Sequence, residues 1–235
     1  RANLDTRRVV FSVTGDLEEK QITDFARKWL EPISARRVNR RRKPFRSYKP
    51  NEITIQRPVK QARCAIGCTA YTIHDERRVP LYFLSNILGG PGMNSRLNLV
   101  LREKHGYVYS VGSQYVPFSD TGLFVVSFGT DPVKMKKALS VSREEMNKLI
   151  HSPLGTRQMN VAREQFLGQM AMAEENHIGF MMMMARNILD TGRVFSFESI
   201  CNRIRATDSK DLQEVAAQVF DPRQLSVLIL EPSAA

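Results

Sequence analysis

The chain has 235 residues, 42% of them hydrophobic and 25% charged, with twelve Phe and one Trp. That is enough apolar material for a real core in one large domain or one and a half small ones. It does not supply a membrane span: the longest apolar run, "IGFMMMMARNIL", is broken by Arg186 and Asn187 well short of the roughly 20 residues required.

The opening "RANLDTRRVV" has no apolar stretch ahead of a small-residue cleavage site and no initiating Met, so it reads as the start of a fragment and not as a signal peptide. "RRVVFSVTGD" then predicts a buried strand over Val9–Val13, ending in a turn at Gly15. Asp16 is the expected cap of the next helix, with Glu19 as its capping-box partner. Leu17, Ile22, Phe25, Ala26 and Trp29 would share the apolar face of that helix.

The net charge of +11 is concentrated in the next segment. "RRVNRRRKPFRSYK", Arg36 to Lys49, holds eight basic residues and no acid, including Arg40, Arg41 and Arg42. Pro44 and Pro50 mark it as irregular chain, and it lacks a flanking nucleic-acid motif. It reads as a solvated linker dispensable to folding, and nucleic acid is not the expected partner.

After Pro50 the pattern restarts. "EITIQ" and "ARCAIGCTAYT" predict strands. The second alternates, so Cys64 and Cys68 lie on one face as small apolar filling and not as half a metal site. Three cysteines cannot make a disulfide framework, and a reduced, cytoplasmic compartment is expected. "ERRVPLYFLSNIL" predicts a helix with Pro80 in its first turn and Gly89-Gly90 at its end. "NSRLNLVLREKHG" predicts a second helix with Leu97, Val100 and Leu101 inward and Gly106 as its C-cap.

"YVYSVGSQYV" and "GLFVVSFGT" predict a hairpin with one covered face. On strict alternation Tyr107, Tyr109, Val111, Ser113 and Tyr115 share a face. Asp131-Pro132 opens a helix to about 150, and helix follows from about 156 to 189, interrupted near Asn176 and Gly179. Met181 to Met184 would fill core gaps where that long helix bends. Shorter helices cover about 196–204 and 208–219, and "QLSVLIL" is a closing strand.

Paired strands followed by runs of helices argue α+β: a mainly antiparallel sheet with helices packed on one face. The chain begins and ends on similar short β-rich runs. This suggests that residues 1–33 are the β-α tail of a preceding similar domain, 34–50 a basic linker and 51–235 a second, nearly complete copy.

The four histidines, His74, His105, His151 and His177, form no metal-binding motif. Glu174 lies three residues before His177, but the matching second motif that a helical metal site needs is absent. There is no nucleophile elbow and no phosphate loop. No metal is expected in this chain.

"LGG-x-G-M-x-SRL" followed by "LREK-x-G-x-x-YSV" resembles the inactive-half signature of the pitrilysin/insulinase zinc metallopeptidases, which include the mitochondrial processing peptidases. "VVFSVTGDLEEKQITDFARKWL", "TGLFVVSFGTDPVKMKKAL" and "GRVFSFESICNRIRATDSKDLQEVAAQVF" extend the resemblance over nearly the whole chain. It implies two homologous halves closing as a clamshell. The first would hold zinc through an HxxEH motif upstream of Arg1; the second would lack zinc and close over a peptide substrate.

The same resemblance implies that Arg102 and Tyr109 bind substrate and that the partners are a catalytic N-terminal half and a peptide. It allows a homodimer. This chain alone would be inactive, the substrate-binding half of a zinc endopeptidase acting on peptides or unfolded segments. The alternatives are a non-catalytic subunit or structural homologue of the same family and, after it, a nucleic-acid module acting through the linker.

Overall fold

In the computed structural model, residues 5–38 and 43–233 are described. The expectation for Arg40, Arg41 and Arg42 falls outside them. Two compact units form, neither continuous in sequence: residues 1–44 with 167–200, and residues 45–166 with 201–235.

The larger unit carries a five-stranded sheet. Its strands are β1 (Glu52–Arg57), β2 (Ala62–Ala70), β3 (Val108–Pro117), β4 (Gly122–Thr130) and β5 (Ser226–Pro232), in the order β1-β5-β2-β4-β3. Only β1 and β5 run parallel. Alternation sets the two faces of the sheet. Ala62, Cys64, Ile66 and Cys68 are buried along β2, opposite Thr130, Phe128, Val126 and Phe124 of β4, and β5 adds Val227.

The helices cover this inner face: α2 (Arg78–Gly89), α3 (Met135–His151) and α7 (Ser209–Val219). Leu81, Phe83, Leu84, Leu88, Ala138, Leu212, Val215 and Ala216 are buried there. Phe220, just beyond α7, packs on Phe124 with ring centroids 4.8 Å apart. The α+β arrangement is therefore the one the sequence predicts. The other face of the sheet is uncovered along Ser127 and Leu228.

Helices α4 (Thr156–Glu174), α5 (His177–Thr191) and α6 (Phe197–Ala206) complete the element order after α3. The break near Asn176 is real, and the Asn176 side chain caps α5 by accepting from the Gly179 N–H at 3.1 Å.

Four expectations need correcting. Val9–Val13 forms no strand: its backbone is irregular and takes part in no ladder among the described residues. The first helix, α1 (Glu19–Trp29), starts later than predicted. Its first turn is closed by Gln21, whose Oε1 accepts from the Glu18 N–H at 3.0 Å, and not by Asp16 and Glu19. The apolar face of α1 is present but none of its residues is buried: Phe25 and Trp29 are about half exposed, and Phe25 stacks on Phe11 and lies tilted against Trp29. The methionine run is not core filling within its unit, since Met182 and Met183 are exposed and only Ala185 of α5 is buried.

The end of the basic stretch is docked and not simply solvated. Tyr48 Oη donates to Gly67 O at 3.1 Å and lies 2.6 Å from Ser226 Oγ, which in turn accepts from the Asn51 N–H at 3.0 Å. The tyrosine pins the chain to the β2–β5 seam just before β1 begins.

Candidate functional site at the β3 edge

The corner that joins the "LREKHG" helix to β3 is wider than an ordinary helix end. From Asn98 to Lys104 the backbone follows a π-helix, and the His105 N–H reaches back five residues to Val100 O at 3.2 Å. Gly106 N–H then bonds Arg102 O at 3.0 Å and Tyr107 N–H bonds Leu101 O at 2.8 Å. This is a Schellman-like closure enlarged by one residue. Gly106 takes φ 58°, the left-handed conformation that a Cβ would disfavour. π-Turns of this kind recur at functional sites.

Two side chains fasten the corner to the hairpin. Thr130 Oγ1 donates to Tyr107 O at 2.6 Å, and Lys134 Nζ donates to Gly106 O at 3.1 Å. Neither residue is identifiable from the sequence, because each acts on a backbone carbonyl more than twenty residues away.

Leu97 and Leu101 are fully buried. Arg102, one residue past that stripe, is exposed and lies 3.5 Å from the Glu103 carboxylate. Such an open pair contributes little and leaves the guanidinium able to change partners.

Tyr109 departs from the sequence expectation. β3 and β4 pair in register from Val111↔Phe128 to Pro117↔Gly122, but the pairing shifts before Val108↔Thr130, so three steps along β3 match two along β4. The extra residue makes a β-bulge at Tyr109-Ser110. Val108, Val111 and Tyr115 keep the inner face, whereas Tyr109 leaves that face and is 84% exposed.

Beside this strand lies an open cleft of about 540 Å³. Arg102, the Gly89-Gly90-Pro91 turn and β3 residues from Ser110 to Gln114 line it. Gly89 lets the end of α2 come close to β3: a Cβ there would sit 2.7 Å from Ser113 N. Ser113 Oγ secures the contact by donating to Ser85 O at 2.6 Å. Buried Asn98 shapes the glycine-rich turn by donating to Ser95 Oγ at 2.8 Å. Arg102 is thus a wall of the cleft. Tyr109 is not, but its bulge partner Ser110 is.

Among the described residues no group of three or more His, Cys, Asp or Glu comes together as a metal site. The donors present in the described part of this chain do not fit a zinc centre. The buried cysteines are also chemically quiet: loss of hydration pushes the Cys64 and Cys68 thiols up to about 12. No described helix is long and apolar enough to cross a membrane.

Comparison with known proteins agrees with this architecture. The peptidase M16 inactive domain matches residues 2–166. An uncharacterized zinc protease of Bacillus subtilis is 26% identical over 96% of this chain and 54% of its own length. One from Streptomyces coelicolor is 31% identical over 96% and 48%. The alpha subunit of the human mitochondrial-processing peptidase is 23% identical over 66% and 31%. The chain spans about half the length of the two bacterial relatives.

Among solved structures, a peptidase M16 inactive domain from Pseudomonas fluorescens superposes with a TM-score of 0.79 at 16% identity, covering 94% of this chain and 53% of that one. A Helicobacter pylori protease gives 0.79 at 16% identity, over 93% and 53%. The family match covers more than half of the chain: it belongs to the M16 zinc-protease family, as its inactive domain.

Proposed function

We propose that this chain is the substrate-holding half of a zinc endopeptidase, closing over peptide bound by a catalytic half. The observation that carries this is the bulge. It takes Tyr109 out of the sheet's packing and leaves its hydroxyl in solvent, on the strand whose cleft Arg102 also walls. A tyrosine that is 84% exposed adds almost nothing to the core, so packing does not account for its place.

A guanidinium and a phenol are hydrogen-bond donors that suit a peptide carbonyl and the negative charge that builds on it during hydrolysis. Neither group supplies the nucleophile. Both hold the peptide group, and they do so only once the two halves close, which ties turnover to closure and excludes water. The zinc implied by the relatives' names belongs to the catalytic half in this reading. That half would also cover the bare apolar face of α1, making residues 1–33 its final β-α segment.

The test is steady-state kinetics on a quenched peptide with the full-length protein. Tyr109→Phe removes one oxygen and leaves the fold intact by circular dichroism. The expected result is a ten- to thousandfold fall in kcat with a smaller change in KM. Arg102→Lys keeps the charge, loses the planar fork and also slows turnover. Wild-type kcat/KM in a folded Tyr109→Phe protein would return Tyr109 to a purely structural role.

A further inference from the structure

The larger unit holds a second cavity, of about 310 Å³, that shares no lining residue with the Arg102 cleft. Three parts of the chain enclose it: the last turn of α2, the glycine-rich turn running into the π-helix, and the first three turns of α4. Side chains tie these parts together. Asn94 and Gln165 form a reciprocal amide pair, Asn94 Nδ2 donating to Gln165 Oε1 at 2.5 Å and Gln165 Nε2 to Asn94 Oδ1 at 2.7 Å. Phe166, next along α4, stacks on Phe83 of α2 with ring centroids 5.5 Å apart. The cavity is a gap between braced elements.

Its walls are apolar, supplied by Ile87, Leu99, Leu154 and Val161. Leu154 is buried, but Leu99 is 48% exposed and Val161 56% exposed, although both line the cavity. An apolar body that covered them would gain about 25 cal/mol for each Å² removed from water.

The charge is one-sided. Arg96 and Arg157 line the cavity and no acidic side chain does. Arg157 is exposed and makes no hydrogen bond or ion pair among the described residues. Arg96 is loosely engaged: its Nη1 lies 3.8 Å from buried Glu145, which Lys148 Nζ already meets at 2.6 Å. Two guanidinium groups are thus left with donors to spare.

An apolar slot with two cationic forks and no acid excludes most ligands. Its volume is that of only about ten water molecules of liquid, too little for a length of peptide. A cation would meet two like charges, and a bare inorganic anion would leave the walls wet. What fits is one short alkyl chain or aromatic ring carrying an anionic head, with the head paired to the arginines.

We propose that this cavity is a binding site for a small amphiphilic organic anion, its apolar body against Leu99 and Val161 and its head on Arg96 and Arg157. The site stands apart from the substrate-holding reading, and its test does not involve turnover.

The probe is decanoate, kept below its micellar range, titrated into the isotopically labelled 235-residue chain and followed by amide chemical shifts. The amides of Leu99, Val161 and Gln165 should move together to saturation with one dissociation constant. Decyltrimethylammonium, of the same length and opposite charge, should bind more weakly by about tenfold or more. Arg157→Gln, at an exposed side chain, removes one charged donor, and Val161→Trp fills the slot from a half-exposed position. Each should weaken decanoate by about tenfold or more, the loss of one hydrogen bond to a charged group or of the space for the chain. Decyl phosphate, run in parallel, separates the two sources of such a ligand: tighter binding than decanoate points to a phosphate head, weaker binding to a carboxylate.

The absence of a saturable shift, equal binding of the cation, or unchanged binding in either variant overturns the proposal. Shifts centred on Phe25 and Trp29 in place of Leu99 and Val161 overturn it too, since they mark adsorption on the exposed face of α1.

Discussion

Thr130→Val tests how far the corner between Arg102 and Tyr109 depends on the buried Thr130 hydroxyl, the shorter of its two side-chain fastenings. Thr130 is 3% exposed and faces Val108 across the hairpin. Its Oγ1 donates to Tyr107 O at 2.6 Å, and no other donor to that carbonyl is found among the described residues. Valine has nearly the same shape, so it creates no cavity; it removes the donor and leaves the acceptor unpaired. That costs about 1–3 kcal/mol.

Thr130→Ser is the control. It keeps the donor and loses one methyl, for about 1 kcal/mol. Stability alone separates these two poorly, so a local measurement is needed. Tyr107 N–H closes the enlarged helix end on Leu101 O, and its protection should fall in the valine variant and persist in the serine variant. The assays are urea unfolding at unchanged m-value and amide exchange on the folded chain. A valine variant within about 0.5 kcal/mol of wild type, with Tyr107 fully protected, would refute the reasoning.

Three further outcomes are expected. Cys64 and Cys68 should resist alkylation at pH 8 in the folded chain, because a thiol near 12 is ionised there in only about one molecule in ten thousand; rapid native-state labelling in a mass spectrum would contradict this. The Arg77 guanidinium, 2.6 Å from Asp75, holds that carboxyl below its ordinary value near 3.8, so the pair stabilises the fold above that value and ceases to as pH falls through the lowered one. Asp75→Asn should therefore lower stability at pH 7 by less than about 1 kcal/mol, and the difference from wild type should vanish in acid; a difference independent of pH would rule this out. Elemental analysis of the isolated chain should find no stoichiometric zinc, and the chain should hydrolyse no peptide, since its described donors form no metal group; one tightly held zinc per chain would reverse the assignment of halves.

The sequence displays those parts of this structure that arise from local periodicity. The alternation in "ARCAIGCTA" and "GLFVVSFGT" places Cys64, Ile66, Phe124 and Val126 on the buried face, as found. Gly106 and Asn176 mark real helix boundaries. The site is less readable because it depends on a departure from periodicity. "VYSVGSQYV" alternates acceptably whether or not a residue is inserted, and only its pairing with β4 reveals the bulge that releases Tyr109. The enlarged helix end is hidden for the same reason: Leu97 and Leu101 are four apart in either geometry. The apolar faces of α1 and α5 predict burial, and within their own unit they do not receive it, because periodicity reports what a face can pack on and not whether the partner lies in the same segment.

The order of strands also dictates an order of events. β5 lies between β1 and β2, pairing Val227 with both Glu52 and Ile66. On the ribosome β2, β4 and β3 can zip together as soon as Thr130 emerges, but β1, made before them, has no neighbour until the chain has grown to Pro232. Throughout that interval the nascent protein carries an orphaned strand beside an incomplete sheet, and loop closure across more than 170 residues sets the last pairing. A premature stop or a protease cut that removed β5 alone would leave β1 with nothing to hold it, cutting the sheet from five strands to three. Quality control of the nascent chain should accordingly hinge on the few codons that encode β5.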